Sequence, residues 1–134
     1  MEKYDIKLYD LNKASEINGI VYAEEDKSSD GFILEITVEN KVITARAEGY
    51  LSAYQELRDK LLKNSFGLKC SGSLINAHQS AMMSYVPQIY LVEMRKQALA
   101  QSIVSIWSYC DIKTFPDTKE QNQYIEKWFE SLNA

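Results

Sequence analysis

The apolar residues of this chain change their spacing at Tyr50, and that change restricts the fold more than any other feature of the sequence. Before it, Phe32, Leu34, Ile36 and Val38 alternate with Ile33, Glu35 and Thr37, the repeat of a half-buried strand. From there on, Tyr50, Tyr54, Leu57 and Leu61 fall on one face of a helix, with Leu51, Ala53 and Leu62 beside it. A sheet and a helix that each carry one apolar face bury them against each other. The spacing therefore predicts an α+β fold: an antiparallel sheet of about five to seven strands with a helix over about 50–63 packed on it. Gly49 as N-cap and a Ser52–Gln55 capping box both suit the start of that helix. Asn64-Ser65-Phe66-Gly67 stops it, and Arg58, Lys60 and Lys63 lie toward the end where positive charge opposes the helix dipole.

Other segments extend the pattern. Tyr4, Ile6 and Leu8 alternate with Asp5 and Lys7 as a strand, and Asn18-Gly19 reads as a turn before the apolar run Ile20 to Ala23. Glu24 to Gly31 is polar throughout and reads as an exposed loop, and Glu39-Asn40 joins the 32–38 strand to Val42-Ile43-Thr44-Ala45 as a hairpin. Leu68 to Leu74 and Ile89 to Val92 are strand candidates, and β-branched content favours strand over helix within 99–110. Asp117 with Glu120 forms the capping signature of a C-terminal helix over about 118–132. Its apolar face includes Trp128 and Phe129, which are expected to dock on the rest of the domain.

At 134 residues, with no Pro-, Gly- or Ser-rich boundary, the chain reads as a single domain over 1–134. Folding at this length removes roughly two-thirds of the accessible surface, enough for a core without staples. Cys70 and Cys110 are far apart in sequence, and the first ten residues lack the apolar run of a secretory signal. The expectation is a reduced, cytoplasmic protein that does not enter a membrane. Net charge is −4, and the surplus of carboxylates falls mainly within residues 1–48. A weakly acidic chain without a Lys/Arg cluster is a poor nucleic-acid binder, whereas an acidic patch steers association with a basic protein.

The residues supply few tools for covalent chemistry. His78 is the only imidazole, and no glycine-rich phosphate loop, metal-ligand spacing or calcium loop is present, so no metal, cofactor or catalytic residue is expected. One enzymatic reading stays open, with Cys70 as nucleophile, His78 as base and Asn76 as its orienter. A non-catalytic subunit of a larger assembly is another. Nine tyrosines and two tryptophans favour a binding surface, since these rings are enriched at interfaces. Tyr85 and Tyr90, on either side of Pro87, are candidates for it, together with Glu24, Glu25, Asp26 and Asp30.

The stretch 67–82 contains Cys70, Gly72, Asn76, Ser80 and Met82 at the intervals of a Cys-x-Gly, Asn, Ser-x-Met motif, with His78 where an aromatic residue is usual. In this it resembles a small family of mostly uncharacterised bacterial proteins, of the kind that act as immunity proteins. After Met82 it departs from the family, which continues with Arg and a Gly-rich turn where this chain has Met83-Ser84-Tyr85-Val86-Pro87. The resemblance implies a cytoplasmic partner for a cognate toxin, often a basic nuclease domain delivered in contact-dependent growth inhibition between competing bacteria. Read by their own chemistry, the motif residues are structural first: Gly72 permits close backbone approach, and Asn76 and Ser80 are suited to bonding the backbone of a bend.

Overall fold

The computed structural model describes residues 1–133. The chain runs through β1 (Glu2–Asp10), β2 (Ser15–Asp26), β3 (Gly31–Val38), β4 (Lys41–Ala47), α1 (Tyr50–Lys63), β5 (Phe66–Leu68), β6 (Ala77–His78), β7 (Gln88–Leu91), β8 (Ile103–Ser105) and α2 (Thr118–Ser131). The fold is α+β and the pairing antiparallel. The strands divide into a sheet of five in the order β4-β3-β2-β1-β5 and a sheet of three in the order β6-β7-β8.

The β3–β4 hairpin closes through Glu39 and Asn40, whose φ values of 49° and 66° are both left-handed. A two-residue loop of that hand matches the twist of the strands it joins. The β1–β2 turn corrects an expectation. It lies at residues 11–14, where the buried Asp10 carboxylate accepts the N–H groups of Asn12 at 3.0 Å and Lys13 at 3.1 Å. Asn18 and Gly19 are instead inside β2, opposite Lys7 and Ile6. A Cβ at Gly19 would stand 3.0–3.3 Å from the side chains of Leu8, Ile6 and Ile36, so this glycine serves core packing. The polar segment at 24–31 is also shorter as a loop than expected, because β2 continues through Asp26 and only 27–30 turn.

α1 lays Tyr54, Leu57 and Leu61 into a core with Leu8, Val21, Leu34 and Ile36. Gly49 occupies the N-cap position, and no Ser52–Gln55 box forms. The first helical N–H groups are satisfied from elsewhere: Tyr50 donates to the Ser84 carbonyl at 2.8 Å, and Leu51 to Gln79 Oε1 at 3.0 Å. Trp107 closes the core from the far end of the chain. Its ring stacks on Tyr4 at 5.4 Å, meets Tyr54 edge-on at 5.1 Å, and its Nε1 donates to Tyr50 at 2.9 Å.

Two strand expectations are narrowed. In 68–74 the strand ends at Leu68, and Ser71–Ser73 is a 3-10 turn. In 99–110 the strand is Ile103–Ser105, preceded by a 3-10 turn. α2 starts with the Asp117–Glu120 capping box. Trp128 docks, donating from Nε1 to the Lys96 carbonyl at 2.9 Å, but Phe129 lies half in solvent because its position on α2 turns it away from that contact. No helix among the described residues is long and apolar enough to cross a membrane.

Candidate functional site

β2 ends and β3 begins at one end of the five-stranded sheet, and the turn that carries Tyr85 meets them there. Gln79 holds that turn in place. Its amide donates to the carbonyls of Val86 and Gln88, both at 2.9 Å, while its oxygen accepts from Leu51 in the first turn of α1. The Ser84 carbonyl accepts from Tyr50 beside it, so two links tie the 81–88 segment to the start of α1. On this pinned segment Met82 is 94% exposed, Tyr85 66% and Val86 41%. Three large apolar side chains held in water on an ordered turn are unusual for a surface that stays uncovered.

The Tyr85 ring lines two adjoining hollows. One, of about 450 Å³, is bordered by Glu2, Glu24, Glu25, Phe32 and Pro87. The other, of about 430 Å³, is bordered by Glu25, Asp26, Asp30 and Phe32, and Lys27 lines both. Four of the acidic residues singled out by the sequence therefore converge on Tyr85. Glu24, Glu25 and Asp30 are exposed and make no ion pair among the described residues. Asp26 differs from them in its surroundings. It is buried, accepts the N–H and hydroxyl of Ser28 at 3.0 and 2.7 Å and the Ser29 hydroxyl at 3.1 Å, and lies 3.5 Å from Arg46. Those hydrogen bonds, then the Arg46 charge, hold its carboxyl below the usual carboxylate range. Asp26 shapes the loop that presents the other three.

Tyr90 does not join this surface. It sits in the middle strand of the second sheet, between His78 of β6 and Ile103 of β8. A larger cavity, about 830 Å³, also lies elsewhere, against β1 and β2 near Asp5, Lys7, Asn18, Tyr22 and Trp107. None of the candidate site residues named from the sequence lines it, and the Lys7 ammonium there already bonds Asn18. The smaller acidic hollows differ from it in adjoining the exposed apolar turn.

The motif residues are mostly structural. Cys70 is fully buried beside Tyr54, and burial pushes its thiol up to about 12. A Cβ on Gly72 would stand 2.6 Å from Ile106 and 2.9 Å from the Tyr54 ring, so the backbone passes where only glycine fits. Asn76 donates from its side chain to the Val92 carbonyl at 3.0 Å and accepts the Val92 N–H on its own carbonyl. The His78 ring packs on Trp128 at 5.3 Å and Phe129 at 5.5 Å, and burial lowers its pKa. No hydrogen bond joins Cys70, Asn76 and His78 to one another among the described residues. Two motif positions depart from the structural assignment: the Ser80 side chain caps nothing, and Met82 stands in solvent because its turn lies outside the core.

The thiols offer a direct check. We expect a thiol reagent to label only Cys110 in the native protein and to reach Cys70 after denaturation. Equal labelling rates for the two in the native state would contradict the burial described.

Gln79, which ties the Tyr85 turn to α1, is the residue of this surface that the sequence reading missed. Its pattern as a polar residue between two short strands carries no signal, because its three bonds are made to backbone 7, 9 and 28 positions away.

Among the described residues, no group of three or more His, Cys, Asp or Glu is placed to hold a metal ion. Compared with known families and with curated proteins, the chain matches no family model and no curated sequence.

Proposed function

We propose that this chain is an immunity-type protein, binding a cognate toxin domain of basic character in the cytoplasm and neutralising it by covering its active site. The observation that carries this reading is the Tyr85 turn, an ordered apolar projection bordered by the unpaired carboxylates of Glu24, Glu25 and Asp30. Carboxylates on the rim steer the encounter with a basic surface, and the apolar side chains supply the contacts that lose water on docking. The role asks for no bond-making group. Supporting it over the Cys70–His78 enzyme, the thiol is buried with its pKa raised, and the imidazole is engaged with α2.

Co-expression with the product of the adjacent upstream gene is expected to yield a stoichiometric complex. The double substitution E24K/E25K is expected to slow association roughly 10-fold or more at low salt, and raising the salt should shrink that difference. Failure of the two proteins to co-purify, or an association rate that neither charge reversal nor salt affects, would count against the proposal.

A further inference from the structure

The five-stranded sheet has two edges, and the fold treats them differently. Directly after β5, residues 108–110 pair with its continuation: Cys110 donates to the Lys69 carbonyl at 3.0 Å and Ser71 to the Ser108 carbonyl at 2.9 Å. At β4 no further strand pairs among the described residues. The two-residue loop makes Val38 and Lys41 a hydrogen-bonded pair, and Ile36–Ile43 and Leu34–Ala45 continue the alternation. The backbone groups of Val42, Thr44 and Arg46 therefore point away from β3. Such a row of free donors and acceptors is a template for another strand. Val42, 62% exposed, adds apolar surface to it.

Two side chains of α1 occupy the centre of that row. Glu56 Oε2 accepts the Arg46 N–H at 2.7 Å, and Lys60 Nζ donates to the Thr44 carbonyl at 2.6 Å. The two side chains lie one helical turn apart and pair with each other at 3.6 Å. We propose that Glu56 and Lys60 guard the β4 edge, preventing a second copy of this chain from adding its own β4 antiparallel across Thr44. A strand pairing there needs the Thr44 carbonyl and the Arg46 N–H, the groups that α1 already holds. The remaining edges belong to β6 and β8, which are two and three residues long and offer little to pair with.

Sedimentation velocity at micromolar concentration tests this. Wild type and E56Q, whose carboxamide still accepts from Arg46, are expected to sediment as monomers, and E56A/K60A as a dimer of twice the mass. Adding T44P to E56A/K60A removes the outward N–H at the centre of the pairing and is expected to restore the monomer. A monomeric E56A/K60A with native circular dichroism, a dimer that T44P leaves intact, or a wild type that already dimerises would overturn the proposal. Should E56A/K60A fail to fold, amide exchange in E56A alone decides: the Arg46 amide should exchange about 10-fold faster or more while Ala45 is unchanged, and an unaltered Arg46 would overturn it.

Discussion

Replacing Tyr85 by alanine should weaken the complex with the co-purified partner by about 30- to 1,000-fold, or ~2–4 kcal/mol, with most of the loss in a faster dissociation rate. The magnitude follows from the way binding energy concentrates in a few aromatic anchors held in fixed positions. Tyr85 meets that description, since its turn is fastened to α1 by Gln79 and by the Ser84 carbonyl before any partner arrives. Little ordering cost remains to be met on binding. The same substitution should leave thermal stability almost unchanged, because most of the ring is in water. Q79A is the companion variant: it leaves Tyr85 in place but frees its turn, so the complex should weaken by a smaller factor. An unaltered dissociation rate in the folded Y85A protein would remove this face from the proposed interface.

The largest expected loss of stability comes from Gln121→Leu, about 3–5 kcal/mol, or roughly 10–20 °C in Tm. Gln121 is fully buried on α2, and its amide is fully engaged. Nε2 donates to the Gly72 carbonyl at 2.9 Å and the Leu74 carbonyl at 2.8 Å, while Oε1 accepts from Arg58 at 2.6 Å and Gln55 at 3.1 Å. Leucine fills similar space and makes none of these bonds. Arg58 sharpens the effect. Its guanidinium has no solvent exposure, and among the described residues it pairs only with the adjacent Asp59 at 2.8 Å and its Nη1 has no hydrogen-bond partner. Taking another acceptor from a buried cation is costly because the charge cannot regain its water. A loss below about 1 kcal/mol on chemical denaturation would show that this network does not hold α2 to α1.

These residues mark where sequence reasoning stops. Arg58 reads as a surface cation near the end of a helix, since long charged side chains are seldom buried. Its burial follows from Gln121, 63 positions later, and from Thr118, which accepts from its Nη2 at 3.2 Å. Asp26 reads as one more acid in an acidic run, yet it alone turns inward to bond the loop it begins. Asn18-Gly19 has the composition of a turn, but the core beneath β2 needs a residue without a side chain. In each case the local signal is correct about the residue's chemistry and silent about its neighbours.

The sequence by itself determined the α+β class, the 32–47 hairpin, α1 from Tyr50 and the capped start of α2, because each of these is decided by residues within a few positions of one another. It also determined where carboxylates accumulate. Only the tertiary structure decided that the strands divide between two sheets, that Cys70 and His78 serve different packing contacts, and that Tyr85 stands among Glu24, Glu25 and Asp30. Those outcomes depend on long-range pairing and on the competition of many side chains for one interior, which no short window of sequence contains.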